Sequence, residues 1–263
     1  MANDTVLWEV DRRGVATVTL NRPQVNNAYN GDLLQGLHDA MDSIGREPHL
    51  RIVVLRGNGR HFQAGADLSW ISGVAERSPA ENERASRVAA EAIRRLDTCP
   101  VPTLALIQGG CFGGGTGVAA ACDVVVASED ALFSISETRW GLMAGIILPQ
   151  LCQAIGLRQT RRYALTGERF GAEEARQIGL VHEVCPTGGL ADAGARIVEA
   201  VLMNAPRATT ATKLRSLASA QAFVDDGMLR DLVDEHARTR QQDEAREGLA
   251  SFREKRKPAW YPG

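Results

Sequence analysis

The chain has 263 residues, of which 44% are hydrophobic, 24% charged and 5% aromatic. That length and balance exclude a disordered or low-complexity chain, and they suffice for a core built without metal or disulfide staples, in one large domain or two small ones. Thirty basic against thirty-two acidic residues leave a formal charge of −2, so no global field draws the protein to nucleic acid or to anionic lipid.

The first residues, Met1 to Glu9, carry acids where an export signal needs an apolar run. No stretch approaches the roughly 18 uninterrupted apolar residues of a spanning helix. The five cysteines (Cys99, Cys111, Cys122, Cys152 and Cys185) form no CxxC pair, and the histidines show no ligand spacing. These features predict a cytoplasmic protein with buried free thiols, no metal site and no membrane partner.

In chain order, Ala16, Val18 and Leu20 alternate with Thr17 and Thr19, which predicts a half-buried strand. Leu33, Leu34, Leu37, Met41 and Ile44 recur at helical spacing. Ile52–Leu55 is a continuous apolar run, as in a strand covered on both faces. A second helix has its start marked by Ser78, Pro79 and Glu81, a capping box with proline in the first turn, and buries the stripe Ala85, Val88, Ala89, Ala92, Ile93 and Leu96. Strands of the buried type recur at Thr103–Ile107 and Val124–Ala127. After about residue 150 strand signals fade, and helical patterns cover roughly 150–165, 172–178, 189–203, 207–222 and 226–250. The organisation is an α/β front half and a helical back half.

Glycine is unevenly spread: of 26 residues, six fall within 109–117. The cluster follows a predicted strand and precedes the alanine-rich run Val118–Ala121, so it sits where a strand hands over to a helix. Such glycines leave backbone N–H groups open to a ligand, and the helix start adds about half a positive charge. The site can hold a phosphate or a developing oxyanion; close packing of helix on sheet is the plainer alternative. Neither the P-loop nor the GxGxxG spacing is present. A second small-residue bend, Arg56–Leu68, follows another buried strand and can offer a second amide. Glu137 ends the strand-like run Phe133–Ser136 among apolar neighbours, where desolvation raises a carboxylate pKa toward that of a general acid/base. A surface or salt-bridged glutamate is the alternative.

These elements, in this order, resemble the enoyl-CoA hydratase/isomerase (crotonase) family. The resemblance runs through Leu20–Pro23 with Asn27-Ala28, His61–Leu68, Gly113–Gly115, Cys122-Asp123, Ser136-Glu137 with Gly141, Leu165–Phe170, Ala172 to Val181, and Phe252–Pro258. It implies an α/β fold, the ClpP-like spiral of ββα repeats, with an acyl-CoA core over 1–200 and a helical trimerisation region over 201–263. It further implies an acyl-CoA thioester as substrate, a homotrimer or dimer of trimers, and no separate cofactor, since coenzyme A is part of the substrate.

By the same resemblance, the N–H groups of Ala66 and Gly114 form an oxyanion hole and Glu137 is the acid/base. The N–H of Gly145 helps hold water. Ala64, Gly65, Asp67 and Leu68 hold the adenine end, Arg22 and Ala28 lie along the CoA groove, and the terminal run with Lys255 and Lys257 reaches a CoA phosphate. Trp70, Ile71, Met143, Ile146 and Ile147 line the acyl pocket. Typical hydratases of the family carry a second glutamate, at the position that is Gly117 here. Single-acid chemistry then covers hydration, Δ3,Δ2 isomerisation or stabilisation of an enolate left by decarboxylation. Finer features (Gly59–Phe62, Ala66–Trp70, Ser136–Arg139 and Arg161–Thr166) resemble bacterial hydratases of 3-methylglutaconyl-CoA and isohexenylglutaconyl-CoA. Arg139 is the candidate partner for the extra carboxylate of such substrates. A non-enzymatic scaffold, including an RNA-binding role, is the alternative of a different class, and the near-neutral charge argues against RNA.

Overall fold

A computed structural model describes residues 4–220 and 225–263. Residues 1–3 of the expected core, with the start of the segment read for an export signal, and residues 221 and 222 of the expected 207–222 helix lie outside them.

The alternating segment near the start folds as an antiparallel pair, β1 (Val6–Val10) and β2 (Val15–Leu20). Asp11 makes the turn, its Oδ1 accepting from the N–H groups of Arg13 and Val15. Asn30 then caps α1 (Gly31–Ile44), accepting from the Leu33 N–H, and the helix buries the apolar stripe expected of it. After β3 (Ile52–Gly57), the chain bends through residues 58–67 into α2 (Leu68–Ala75) and α3 (Pro79–Asp97). The capping box at the start of α3 forms in both directions.

The next segments come in pairs. β4 (Thr103–Ile107) is followed by β5 (Gly110–Phe112) and α4 (Gly114–Ala120); β6 (Val124–Ser128) is followed by β7 (Leu132–Ser134) and α5 (Leu148–Thr166). β8 (Phe170–Gly171), α6 (Ala172–Gln177), β9 (Glu183–Cys185) and the helices α7 (Leu190–Leu202), α8 (Pro206–Ser219), α9 (Asp226–Arg240) and α10 (Asp243–Glu254) complete the order. Each repeat lays one strand in a large sheet and the next in a small one, so the chain winds as a spiral of strand, strand and helix. The large sheet runs β1-β2-β3-β4-β6-β9 and is parallel from β2 onward; the small one runs β5-β7-β8.

Three expectations change. β2 is not half-buried: it lies between β1 and β3, and even Thr19 is only 9% exposed, its hydroxyl accepting from Arg56 Nε at 3.0 Å. Ala16, Val18 and Leu20 face the main core, while Val15 belongs to a second core that α7 closes on the far face of the sheet. The single helix expected over 226–250 is two, interrupted at Gln241 and Gln242. Strands also persist past residue 150 as β8 and β9, which are too short for a periodicity to register.

The back half is tied to the sheet. The Arg51 guanidinium donates to the carbonyls of Leu202, Asn204 and Trp260. Lys213 of α8 is buried, with its ammonium 2.6 Å from Asp123 and 3.1 Å from the Val101 carbonyl. All five cysteines are free and four are buried. No helix among the described residues is long and apolar enough to cross a membrane.

One buried side chain holds the front loops together. Asn27, at φ 54–55° like its neighbour Asn26, accepts from the Arg22 N–H at 2.7 Å and donates to the carbonyls of Asn58 and His61 at 2.9 and 2.8 Å. Removing it leaves the Arg22 N–H and the Asn58 and His61 carbonyls without this partner in a part-buried setting, each costing roughly 1 kcal/mol. Asn27→Ala is therefore expected to lower stability by about 3 kcal/mol, read as a lower urea midpoint at unchanged slope.

Candidate active site

Three segments meet beside the small sheet. Gln63 bridges Cys111 in parallel fashion, with the Phe112 N–H donating to the Gln63 carbonyl at 2.9 Å, which brings the 63–67 bend alongside β5. β5 pairs with β7 so that Phe112 lies opposite Ser134, and the Gly113 N–H donates to the Ser134 carbonyl at 2.8 Å. Two residues beyond Ile135, Glu137 opens a short 3-10 turn, Glu137–Trp140. Gly113 sits at φ 50°, in left-handed space, and a Cβ there would lie 3.1 Å from Glu137 Oε1 and 3.7 Å from the Gly65 Cα. Only glycine meets both constraints.

The two amides expected to bind an oxyanion are open. Tyr29 bridges Ala66: the Tyr29 N–H donates to the Gly65 carbonyl and the Asp67 N–H to the Tyr29 carbonyl, at 2.8 and 2.9 Å. In that parallel pattern the Ala66 N–H points to the opposite side, away from Tyr29's backbone. Gly114 is the first residue of α4, where a helix leaves its N–H unpaired. Neither amide has an intramolecular acceptor among the described residues.

Both residues line a cavity of about 400 Å³, together with Ala28, Tyr29, Ala64, Gly65, Asp67, Leu68, Glu137 and Arg139. A second cavity of about 280 Å³ adjoins it, walled by Trp70, Ile71, Val74, Met143, Ile146 and Ile147, with Asn82 and Ser86 its polar lining residues besides Tyr29 and Glu137. Tyr29, Gly114, Glu137 and Leu142 belong to both walls. The acid and one of the amides thus stand on the boundary between a wider, more polar space and a narrower, more apolar one.

Burial raises the Glu137 pKa above the ordinary carboxylate value, and its Oε2 is buried without a hydrogen-bond partner. A carboxylate so placed holds its proton more tightly than a solvated one, which suits it to act as a general acid/base. Position 117, a glycine, supplies no second carboxylate. A Cβ on Gly117 would lie 2.1 Å from Ile147 Cγ2, and Ile147 is 1% exposed. The isoleucine occupies the space that a side chain at position 117 requires.

The remaining candidates separate. Arg22 does not line either cavity; it donates to the Ala28 carbonyl and pairs with Asp67 at 3.2 Å, tethering the loop behind the wall. Asp67 lines the polar cavity but also caps α2, its Oδ1 accepting from Ser69 and Trp70. Gly145 stands behind Met143, whose Cε would be 2.8 Å from its Cβ, and lines neither cavity. Lys255 ends α10 in left-handed conformation and Lys257 sits 3.7 Å over the Tyr261 ring; neither lines these two cavities. The structure adds Tyr29 and Arg169, which the sequence reading passes over. Arg169 lies 5.4 Å over the Phe112 ring, and neither it nor Arg139 has a carboxylate partner among the described residues.

Paired open amides, a buried acid and a divided cavity define an enzyme site for polarising a carbonyl and moving a proton beside it. The enoyl-CoA hydratase/isomerase family model matches residues 11–262, and the chain belongs to that family. A Thermus thermophilus protein that carries an enoyl-CoA hydratase name is 34% identical over 95% of this chain and 98% of its own length. The peroxisomal Delta(3,5)-Delta(2,4)-dienoyl-CoA isomerase of Arabidopsis thaliana is 32% identical over 80% of this chain and 79% of its own. The crystal structure of an enoyl-CoA hydratase from Shewanella pealeana superposes with a TM-score of 0.92 at 32% identity, covering 97% of this chain and 96% of that one. The spiral fold and the crotonase class expected from the sequence are those observed.

The buried acid has a measurable cost. With its folded-state pKa above the unfolded value, Glu137 binds its proton more tightly in the native protein, so native stability is lost as pH rises through the raised pKa. Glu137→Gln is expected to raise Tm above wild type at about pH 8, with the gain shrinking toward about pH 3, below the unfolded-state value, where both states are protonated.

Proposed function

We propose that the protein hydrates the 2,3 double bond of a β-branched 2-enoyl-CoA, of the 3-methylglutaconyl or isohexenylglutaconyl type, with Glu137 as its one carboxylate acid/base. The observation that carries this reading is the place of Glu137 and Gly114 on the boundary of the two cavities. A thioester carbonyl between the Ala66 and Gly114 N–H groups puts the CoA moiety in the polar space and Cβ at the mouth of the apolar one. Glu137 takes a proton from water as the oxygen adds to Cβ; the double-bond electrons move onto the thioester oxygen as an enolate, and the same proton returns to Cα. An oxyanion donor is worth about 3 kcal/mol in such a site, and a positioned acid/base about 10²–10⁴-fold in rate.

A branched Cβ has two arms. The apolar lining around Trp70, Ile71 and Ile146 suits an alkyl arm. A carboxylate arm suits Arg139, which lines the polar cavity and has no ion-pair partner among the described residues. A homotrimer built through the back helices belongs to the same proposal, supported by the exposure of Leu229, Val233, Leu249 and Phe252, all above 50%. So does a cytoplasmic location, which suits five free thiols.

A second reading, Δ3,Δ2 isomerisation, is favoured by Ile147. With position 117 closed, one carboxylate remains, and one carboxylate is enough to carry a proton between Cγ and Cα.

A spectrophotometric assay with crotonyl-, 3-methylglutaconyl- and isohexenylglutaconyl-CoA tests the proposal. The expected result is preferred hydration of the branched esters, and a loss of about 10² or more in kcat for Glu137→Gln with ester binding retained. Hydration confined to crotonyl-CoA contradicts the branched substrate. Conversion of a 3-enoyl-CoA to the conjugated ester without any 3-hydroxy product establishes the isomerase instead.

A further inference from the structure

The site contains a polar group that the reaction as described does not use. Tyr29 follows the Asn27-Ala28 pair, and its backbone is fixed to the bend at Ala66 by the two hydrogen bonds described above. Its ring packs edge-on against Trp70, with centroids 5.9 Å apart at 71°. The ring edge toward the hydroxyl faces Gly114: a Cβ on that glycine would lie 2.7 Å from Tyr29 Cε1 and 3.5 Å from Cζ. Tyr29 also lines both cavities, on the boundary that Glu137 occupies. Its hydroxyl has no protein hydrogen-bond partner among the described residues and is not among their buried unpartnered atoms, so it is left available to a bound water. Burial and the nearby Glu137 charge push its pKa up to about 12, so the hydroxyl stays protonated through the working range.

Resting on the hydratase reading, we propose that the Tyr29 hydroxyl seats the water that Glu137 activates, in the place of the second carboxylate that Ile147 leaves no room for at position 117. A phenol is both donor and acceptor. One water O–H points to the Glu137 carboxylate and is the proton transferred; the other points to the Tyr29 oxygen and stays on what becomes the β-hydroxyl. In the reverse direction the Tyr29 O–H donates to the departing hydroxide. No proton moves to or from Tyr29 overall, and the only bonds made are Cβ–O and Cα–H. Tyr29 is then a catalytic residue for the step that handles water and a bystander in enolate formation, which needs only the two amides and Glu137.

That division gives the test. Tyr29→Phe keeps the ring, its packing on Trp70 and the backbone bridge to Ala66, and removes one oxygen. Two rates are measured on wild type, Tyr29→Phe and Glu137→Gln: hydration of 3-methylglutaconyl-CoA, and exchange of the Cα proton of a saturated β-branched acyl-CoA in D₂O, followed by NMR. The proposal expects Tyr29→Phe to lose about 10–100-fold in hydration kcat with KM within about threefold, while exchange falls far less; Glu137→Gln loses both. Hydration by Tyr29→Phe at the wild-type rate overturns the proposal. So does an equal loss of hydration and exchange, which makes the hydroxyl a support for the site as a whole. Wild-type protein that exchanges the proton but hydrates none of the three enoyl esters overturns the hydratase reading itself, and the water-seating role falls with it; that outcome is read on wild type alone.

Discussion

Two glycine-bearing loops and the acid converge on Gly113, where an added Cβ would lie 3.1 Å from Glu137 Oε1 and 3.7 Å from the Gly65 Cα. The geometry of the site is set at that junction. It requires a left-handed Gly113, which the Ser134 carbonyl holds from one side, and it is aligned by the pairing of β5 with β7 and by the Gln63–Cys111 bridge. The small sheet, of only two or three residues per strand, therefore acts as a jig. The large sheet supplies rigidity behind it, since both of its faces are covered by packed side chains.

Placing an acid at that junction is unfavourable for the fold and useful for the chemistry. Glu137 has one oxygen buried and unpartnered, and it is surrounded by neighbours that raise its proton affinity without supplying a counter-charge. On the apolar side of the site, Ile147 fills the space beside Gly117. Stability given up at one carboxylate is balanced by close packing elsewhere, as is common at functional sites.

Much of this organisation is legible in the amino-acid sequence, and what is not has physical reasons. The α1 stripe and the Ser78–Glu81 box are local patterns and fold as read, and α3 buries Ala89, Ala92, Ile93 and Leu96 of its stripe, with Ala85 and Val88 only half-buried. The burial of β2 is not local: Thr19 is covered because strands pair on both sides and Arg56 reaches back to its hydroxyl. Strands as short as β8 carry no period at all. In the site, the glycine cluster and the isolated acid signal open amides and a perturbed carboxylate. Their assignment to particular roles comes from resemblance. Arg22 looks like a groove cation in sequence, yet its guanidinium is spent on Ala28 and Asp67. Tyr29 carries no sequence signal of its own, since it reaches the boundary of the two cavities through a single bridge to a residue 37 positions later. The one available hint was its position immediately after the Asn27-Ala28 motif.

The central claim is that the Ala66 and Gly114 amides polarise a thioester carbonyl whether or not Glu137 is there to move a proton. Isotope-edited infrared spectroscopy of a ¹³C=O-labelled enoyl-CoA bound to Glu137→Gln measures this directly, free of turnover. A carbonyl stretch shifted to lower frequency on binding, by the same amount as for a non-reacting saturated ester on the wild-type protein, is the predicted result. A stretch unchanged from that in water would mean that the amides do not hold the carbonyl, and the site described here would not be the one that activates it.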